Sequence, residues 1–194
     1  MRTGILGGTF DPIHLGHLAA AQAAMDCADL DRLLFVPTGV PPHRPPTVAD
    51  PDDRLEMCRL AVAGEKRFEV SDLELRRDGV SYTVDTLREL HRLYPAEELF
   101  LVLGWDAAKL LETWHEPEEV RRLARVVVVT RPGSGSPPAT TTEILCERPT
   151  PNISGSELRR AIARGDDVSD RLPEPVAAYI ARRGLYMDNR QVGC

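Results

Sequence analysis

Gly7-Gly8-Thr9-Phe10-Asp11-Pro12-Ile13-His14-Leu15-Gly16-His17 is a turn that joins the end of a strand to the start of a helix. Upstream, Thr3 to Leu6 is short and apolar; downstream, Leu18, Ala21, Met25 and Ala28 recur at helical spacing. A glycine-rich strand-to-helix turn lets the backbone approach a phosphate closely, and the helix N-terminus favours the anion. His14 and His17 stand at i and i+3, so both imidazoles leave one face of the first helical turn. Two such groups beside a phosphate cradle point to nucleotide chemistry. A pair at this spacing also suits an ordinary surface or core contact, or half of a metal site. A metal site, however, needs a further ligand with its own support, and none stands nearby in the sequence. The chain has neither G-x-x-x-x-G-K-[ST] nor G-x-G-x-x-G after a strand, so the cradle is of a third kind.

Working outward, short apolar strands alternate with amphipathic helices, which argues for βαβ units and a parallel sheet. Arg32 to Val36 reads as a second strand, followed by a proline-crowded loop from Pro37 to Pro51. Asp53 to Ala63 reads as a helix, Phe68 to Leu75 as an exposed strand, and Val84, Leu87, Leu90 and Leu93 as the stripe of another helix. Leu99 to Leu103 and Val126 to Val129 are continuous apolar runs, as expected of strands buried on both faces. Between them lie helical stretches at Ala107 to Leu111 and Pro117 to Leu123. After a Pro/Gly/Ser/Thr-rich loop at 132–142, Thr142 to Cys146 is a candidate last strand. Ser154 to Arg164 and Glu174 to Arg183 read as helices, the second closed by Gly184. The expectation is one α/β domain over residues 1–187, with a frayed tail at 188–194. Its fold would be a Rossmann-like parallel sheet with helices on both faces and a small C-terminal helical segment.

The net charge of −6 gives no general attraction to nucleic acid or to an anionic membrane, so an anion must be held by local chemistry. The first residues run directly into a strand and no apolar run approaches a bilayer span, which suggests a cytoplasmic protein. Cys27, Cys58, Cys146 and Cys194 are scattered without a C-x-x-C pair, and are expected to be reduced thiols.

Other segments carry chemistry with structural alternatives beside it. Pro41-Pro42-His43-Arg44 is either a rigid turn with a solvated arginine or a basic group held to meet an anion. In Ser81-Tyr82-Thr83, Ser81 or Thr83 suits a helix N-cap, and the free N–H groups there suit a carboxylate. Gly104-Trp105-Asp106 follows a buried strand; Asp106 is placed for a ribose hydroxyl or for capping the next helix. Trp114 is a core residue or a stacking platform for a flat ring. Ser154 and Glu157 form an S-x-x-E capping box. That box leaves Ser156 and Arg159 on the first turn, where a hydroxyl and a guanidinium suit a phosphate tail.

The H-x-G-H spacing resembles the signature of the nucleotidyltransferase superfamily. Taken in order, G-G-T-F-D-P-I-H-L-G-H, V-P-x-x-x-P-P-H-R, S-Y-T-V-D-T, G-W-D, T-W, T-R-P-G and I-S-x-S-x-L-R resemble the bacterial nicotinate-nucleotide adenylyltransferases. The likeness runs from about residue 2 to residue 187, with Arg44 standing where lysine is common, Ser156 in place of threonine and Leu158 in place of isoleucine.

That resemblance implies transfer of AMP from ATP to nicotinate mononucleotide, releasing pyrophosphate. It implies phosphate binding by the backbone of Gly8, Thr9 and Phe10, and catalysis by His14, His17 and Arg159. Ser154 and Ser156 would help Arg159 hold the triphosphate, and Gly104 and Asp106 would bind adenosine. Thr83 and Trp114 would recognise the nicotinate group, with Arg44 and Arg131 as basic substrate contacts. Mg²⁺ would travel with ATP rather than sit among protein ligands. The partners implied are ATP and nicotinate mononucleotide, with no nucleic acid and no membrane; a homo-oligomer is left open. Phosphopantetheine adenylyltransferases share the first block but predict no stacking tryptophan and a shorter chain. A nucleotide sensor of the same fold would be expected to have lost His14, His17 or Arg159. A class I tRNA synthetase fragment would need a K-M-S-K-S-like loop, which is absent.

Overall fold

The computed structural model describes residues 1–42, 46–130 and 143–187. Six strands form one sheet: β1 (Arg2–Gly8), β2 (Arg32–Pro37), β3 (Phe68–Val70), β4 (Glu98–Gly104), β5 (Arg125–Thr130) and β6 (Ile144–Glu147). Their spatial order is β3-β2-β1-β4-β5-β6, and every pairing is parallel. The helices are α1 (Leu15–Cys27), α2 (Pro51–Val62), α3 (Thr83–Leu93), the short α4 (Trp105–Ala108), α5 (Pro117–Leu123), α6 (Gly155–Arg164) and α7 (Glu174–Arg183).

Strand periodicity divides the core. Along β2, Leu33 and Phe35 face one layer of helices while Leu34 and Val36 face the other; Val127 and Val129 of β5 part likewise from Val126 and Val128. The first layer is made by α1, α2, α6 and α7, and the second by α3 and α5. β-Branched runs suit such doubly covered strands, where every side chain meets a packed surface. No helix among the described residues is long and apolar enough to cross a membrane.

The chain order along the sheet reverses between β1 and β4. In such sheets the crevice outside the carboxyl ends of the strands at that point is where ligands bind. The β1–β4 ladder runs from Arg2–Glu98 to Ile5–Leu101 and stops short of Gly8 and Gly104, the residues that end the two strands.

Five readings are corrected. The strand expected over Phe68 to Leu75 ends at Val70: after Ser71 N–H donates to the Phe35 carbonyl, the chain turns to tuck Leu73 into the core. The Ser154 side chain makes no capping hydrogen bond, so its capping box is not formed. Asp106 lies within α4, whose N-cap is Gly104, and Tyr82 rather than Ser81 or Thr83 is the N-cap of α3. The cysteines are not all thiols. Cys27, at the end of α1, and Cys146, in β6, form a disulfide across a sequence separation of 119, because α1 packs over β6. Cys58 is a buried free thiol whose pKa burial pushes up.

Candidate active site

The quoted turn leaves β1 at its carboxyl end, beside the crevice. Phe10 takes a positive φ of 46° and is fully buried, its ring edge-on to His17 and tilted against Phe35. Burial of that ring anchors a left-handed backbone that a non-glycine residue adopts only at a cost. Among the described residues the Thr9 and Phe10 N–H groups make no backbone hydrogen bond of the turn, loop or cap kind.

His14 is the extended N-cap of α1 and His17 its third residue. Their rings stack 3.7 Å apart, 19° from parallel, and His17 Nδ1 accepts the His14 backbone N–H at 3.2 Å. Gly16 is needed between them for space: a Cβ there would lie 3.1 Å from His14 Nδ1 and 3.2 Å from the Pro151 carbonyl oxygen. The Leu15 N–H donates to the Arg171 carbonyl and the His17 N–H to that of His14. The head of α1 therefore offers an anion imidazoles more than amides.

Asp11 joins this turn to three other segments. Its carboxylate accepts the Val48 and Ala49 N–H groups at 2.7 and 3.0 Å, and the Tyr186 hydroxyl at 2.7 Å. Arg159, one turn into α6, donates from Nη1 to the Asp11 carbonyl at 2.6 Å and lies 3.7 Å from its carboxylate. Burial and the facing carboxylate push the Tyr186 phenol far above its usual range, so it remains a donor. Arg54 lies beneath, fully buried, donating to the Thr9 and Thr38 carbonyls. Sequence reading had no role for Asp11, Arg54 or Tyr186. Arg54 did leave a signal: it precedes Cys58 and Val62 at four-residue steps on the buried stripe of α2.

The head of α6 completes this side. Gly155 sits against the Asp11 carbonyl, and Arg159 Nη2 reaches Ser156 Oγ at 3.5 Å. The structure thus brings Gly8, Thr9, Phe10, His14, His17, Ser154, Ser156 and Arg159 to one region.

Across the crevice, Gly104 ends β4 and Asp106 projects into solvent, paired with Lys109 at 2.7 Å. Thr83 is the first residue of α3. Trp114 is half-buried against the second core layer, in the turn that leads to α5. That turn is held to α3 by Arg88, whose Nη2 meets Glu116 at 2.5 Å, and by the Tyr82 and His115 rings, 4.5 Å between centroids. Residues adjacent to Thr83 and Trp114 are therefore in contact. Behind them Glu74 is buried and accepts Thr86 Oγ–H at 2.7 Å; burial pushes its pKa up, while Thr86 and Arg77 oppose the shift. Arg44 and Arg131 lie outside the described residues.

Among the described residues no group of three or more His, Cys, Asp or Glu side chains is placed to hold a metal ion. The buried carboxylate nearest the turn, Asp11, already has its oxygens engaged. Such a donor set fits a cation carried on phosphate oxygens, with arginine and imidazole facing the anion.

A family profile described as cytidylyltransferase-like matches residues 5–161. The chain is 48% identical over 186 residues to a Thermus thermophilus protein described as "Probable nicotinate-nucleotide adenylyltransferase", covering 96% of this chain and all of that one. It is 42% identical to a protein of the same description from Desulfitobacterium hafniense, with 95% of each covered. The fold is similar to Plasmodium falciparum nicotinic acid mononucleotide adenylyltransferase, solved in complexes with APC and with NaAD. The TM-scores are 0.79 and 0.80, at 20% identity and 95% coverage of this chain.

Proposed function

This chain belongs to the nicotinate-nucleotide adenylyltransferases of the cytidylyltransferase-like superfamily, and on that premise we propose how its residues share the work. The reaction transfers AMP from ATP to nicotinate mononucleotide, giving nicotinate adenine dinucleotide and pyrophosphate in NAD biosynthesis. The observation that supports the assignment best is the meeting of two helix heads. His14 and His17 stack at the start of α1, and Arg159 of α6 is hydrogen-bonded onto the same turn.

The acceptor's 5′-phosphate is an anion at neutral pH, so the reaction requires no general base. One of its oxygens attacks the α-phosphorus of ATP; the bond from that phosphorus to the bridging oxygen breaks, and pyrophosphate leaves with the electron pair. The protein's task is to bring two anions together and to neutralise accumulating charge. The Gly8–Phe10 backbone and the head of α6, with Ser154 and Ser156, receive the triphosphate. His14 and His17 donate to α-phosphate oxygens as charge builds there, and Arg159 follows the leaving pyrophosphate. Mg²⁺ bound to the triphosphate would add charge neutralisation, with no group of three or more protein ligands of its own among the described residues. Gly104 leaves room for adenosine, and Asp106 exchanges Lys109 for a ribose hydroxyl. Thr83, with the amides at the head of α3, receives the nicotinate carboxylate while the ring stacks on Trp114; Arg44 and Arg131 add charge.

The test is pyrophosphate release with Mg·ATP and one acceptor at a time. Turnover with nicotinate mononucleotide, and little with nicotinamide mononucleotide or phosphopantetheine, is the expected outcome. Preference for phosphopantetheine would overturn the reading.

A further inference from the structure

Arg54 has a burial that its hydrogen bonds do not explain. Its Nη1 donates to the carbonyls of Thr9, in the turn after β1, and Thr38, just after β2, both at 2.8 Å. Its Nε and Nη2 are buried with no hydrogen-bond partner among the described residues. Burial of a guanidinium with orphaned N–H groups is costly, and an apolar residue of similar volume often avoids that cost without loss of the fold. Bridging two carbonyls needs a donor but not a positive charge. The charge calls for its own explanation.

The surroundings leave that charge largely uncompensated. Asp11 is the carboxylate that acts on Arg54, and Arg159 also lies on it, so two guanidinium groups share one carboxylate. The Tyr186 phenol stays neutral. Asp53, next along α2, is spent on the Tyr179 hydroxyl at 2.7 Å and on Arg183 at 3.1 Å. A net positive charge therefore sits in a water-poor layer behind the backbone of Gly8–Phe10. There it is poorly screened and acts through space on whatever that backbone holds.

We propose that Arg54 is a positioning residue for the polyphosphate: it ties the Thr9 and Thr38 turns together and puts a buried positive charge behind the phosphate cradle without touching substrate. This rests on the reading that Gly8–Phe10 receive the ATP phosphates. It implies that the influence of Arg54 grows with the charge of the ligand, which a purely structural tie would not do.

Calorimetric titration of adenosine, AMP, ADP and ATP, at fixed ionic strength, into wild type, R54M, R54K and R59Q reads this directly. Arg59 is the control, an exposed arginine on the same helix whose charge is screened by solvent. R54M is expected to weaken adenosine by no more than about threefold and ATP by about thirtyfold or more, with AMP and ADP between. R54K, which keeps the charge, should hold the ATP-to-adenosine ratio within about threefold of wild type, and R59Q should change every ligand by less than about twofold. Should R54M lose its cooperative melt, R54Q, which keeps an N–H donor, replaces it in the same series. Equal weakening of all four ligands, or the same graded loss in R59Q, would overturn the proposal. A wild type that binds ATP no better than adenosine would instead overturn the functional reading beneath it.

Discussion

On the β1 side of the crevice, Asp11 and His14 are buried in a turn bonded to the segment at Val48–Ala49, to α6 and to Tyr186, and Arg54 of α2 is buried beneath it. On the β4 side, Asp106 stands in solvent, Thr83 and Trp114 are half-buried, and the contacts that hold them come from Arg88, Tyr82 and His115. On the proposed reading, the β1 side receives phosphate with backbone, buried charge and stacked imidazoles, and the β4 side receives the acceptor with a helix head and a ring on an apolar layer. Polyphosphate recognition needs donors fixed before the anion arrives, since reorganising them would cost the transition state. Choice of acceptor needs only a few groups that one ring substituent satisfies and another leaves unpaired. Chemistry and specificity should therefore separate on mutation.

The largest effect is expected on the phosphate side. His17→Ala should lower kcat by ~10²-fold or more while the KM values move little, because the imidazole acts on charge that develops in the transition state. Steady-state kinetics on the folded variant decide this, and near-normal turnover would break the comparison. Trp114→Ala tests the other side: KM for nicotinate mononucleotide should rise by about tenfold, as a stacking surface is lost, with KM for ATP within about twofold. A collapse of thermal stability in its place would make Trp114 a core residue and the acceptor side less separable than described.

The smallest effect concerns Glu74, behind the acceptor helix. Burial raises its pKa in the folded state above the unfolded value near 4.3, so the folded state holds the proton more tightly. Stability contributed by this group is complete below the unfolded pKa and is lost as pH rises through the folded one. Glu74→Gln should accordingly gain on wild type as pH rises, its Tm difference growing by about 2 °C or more between pH 4 and pH 8. A difference independent of pH would show that burial does not raise the pKa of Glu74 in the folded state.

Much of this architecture is legible in the sequence because it rests on local pattern. The valine run at 126–129, the N-terminal proline of α5 and the Gly184 cap of α7 each state an element directly, and the structure returns α5 and α7 at the expected bounds. The quoted turn and the head of α6 are likewise local, and the fold brings them together. What escaped depends on distance. Asp11 finds Val48, Arg159 and Tyr186, and Arg54 finds Thr9 and Thr38, through contacts between segments far apart in the chain. Cys27 and Cys146 meet only because α1 lies over β6. The alternation of Phe68 to Leu75 misleads for the opposite reason: a turn that buries Leu73 and Glu74 shows the same pattern as a strand.

The measurement that tests the separation most directly is the ratio of kcat/KM for nicotinate over nicotinamide mononucleotide, taken in wild type and in His17→Ala at saturating Mg·ATP. On the proposed reading, a carboxylate would accept from the donors at the head of α3, whereas a carboxamide would turn an NH₂ towards them and leave them unpaired. The account predicts a ratio of at least ~10² in wild type, about 2.7 kcal/mol, and the same ratio in the variant although both rates fall together. A wild-type ratio near one, or a ratio that collapses when His17 is removed, would contradict it.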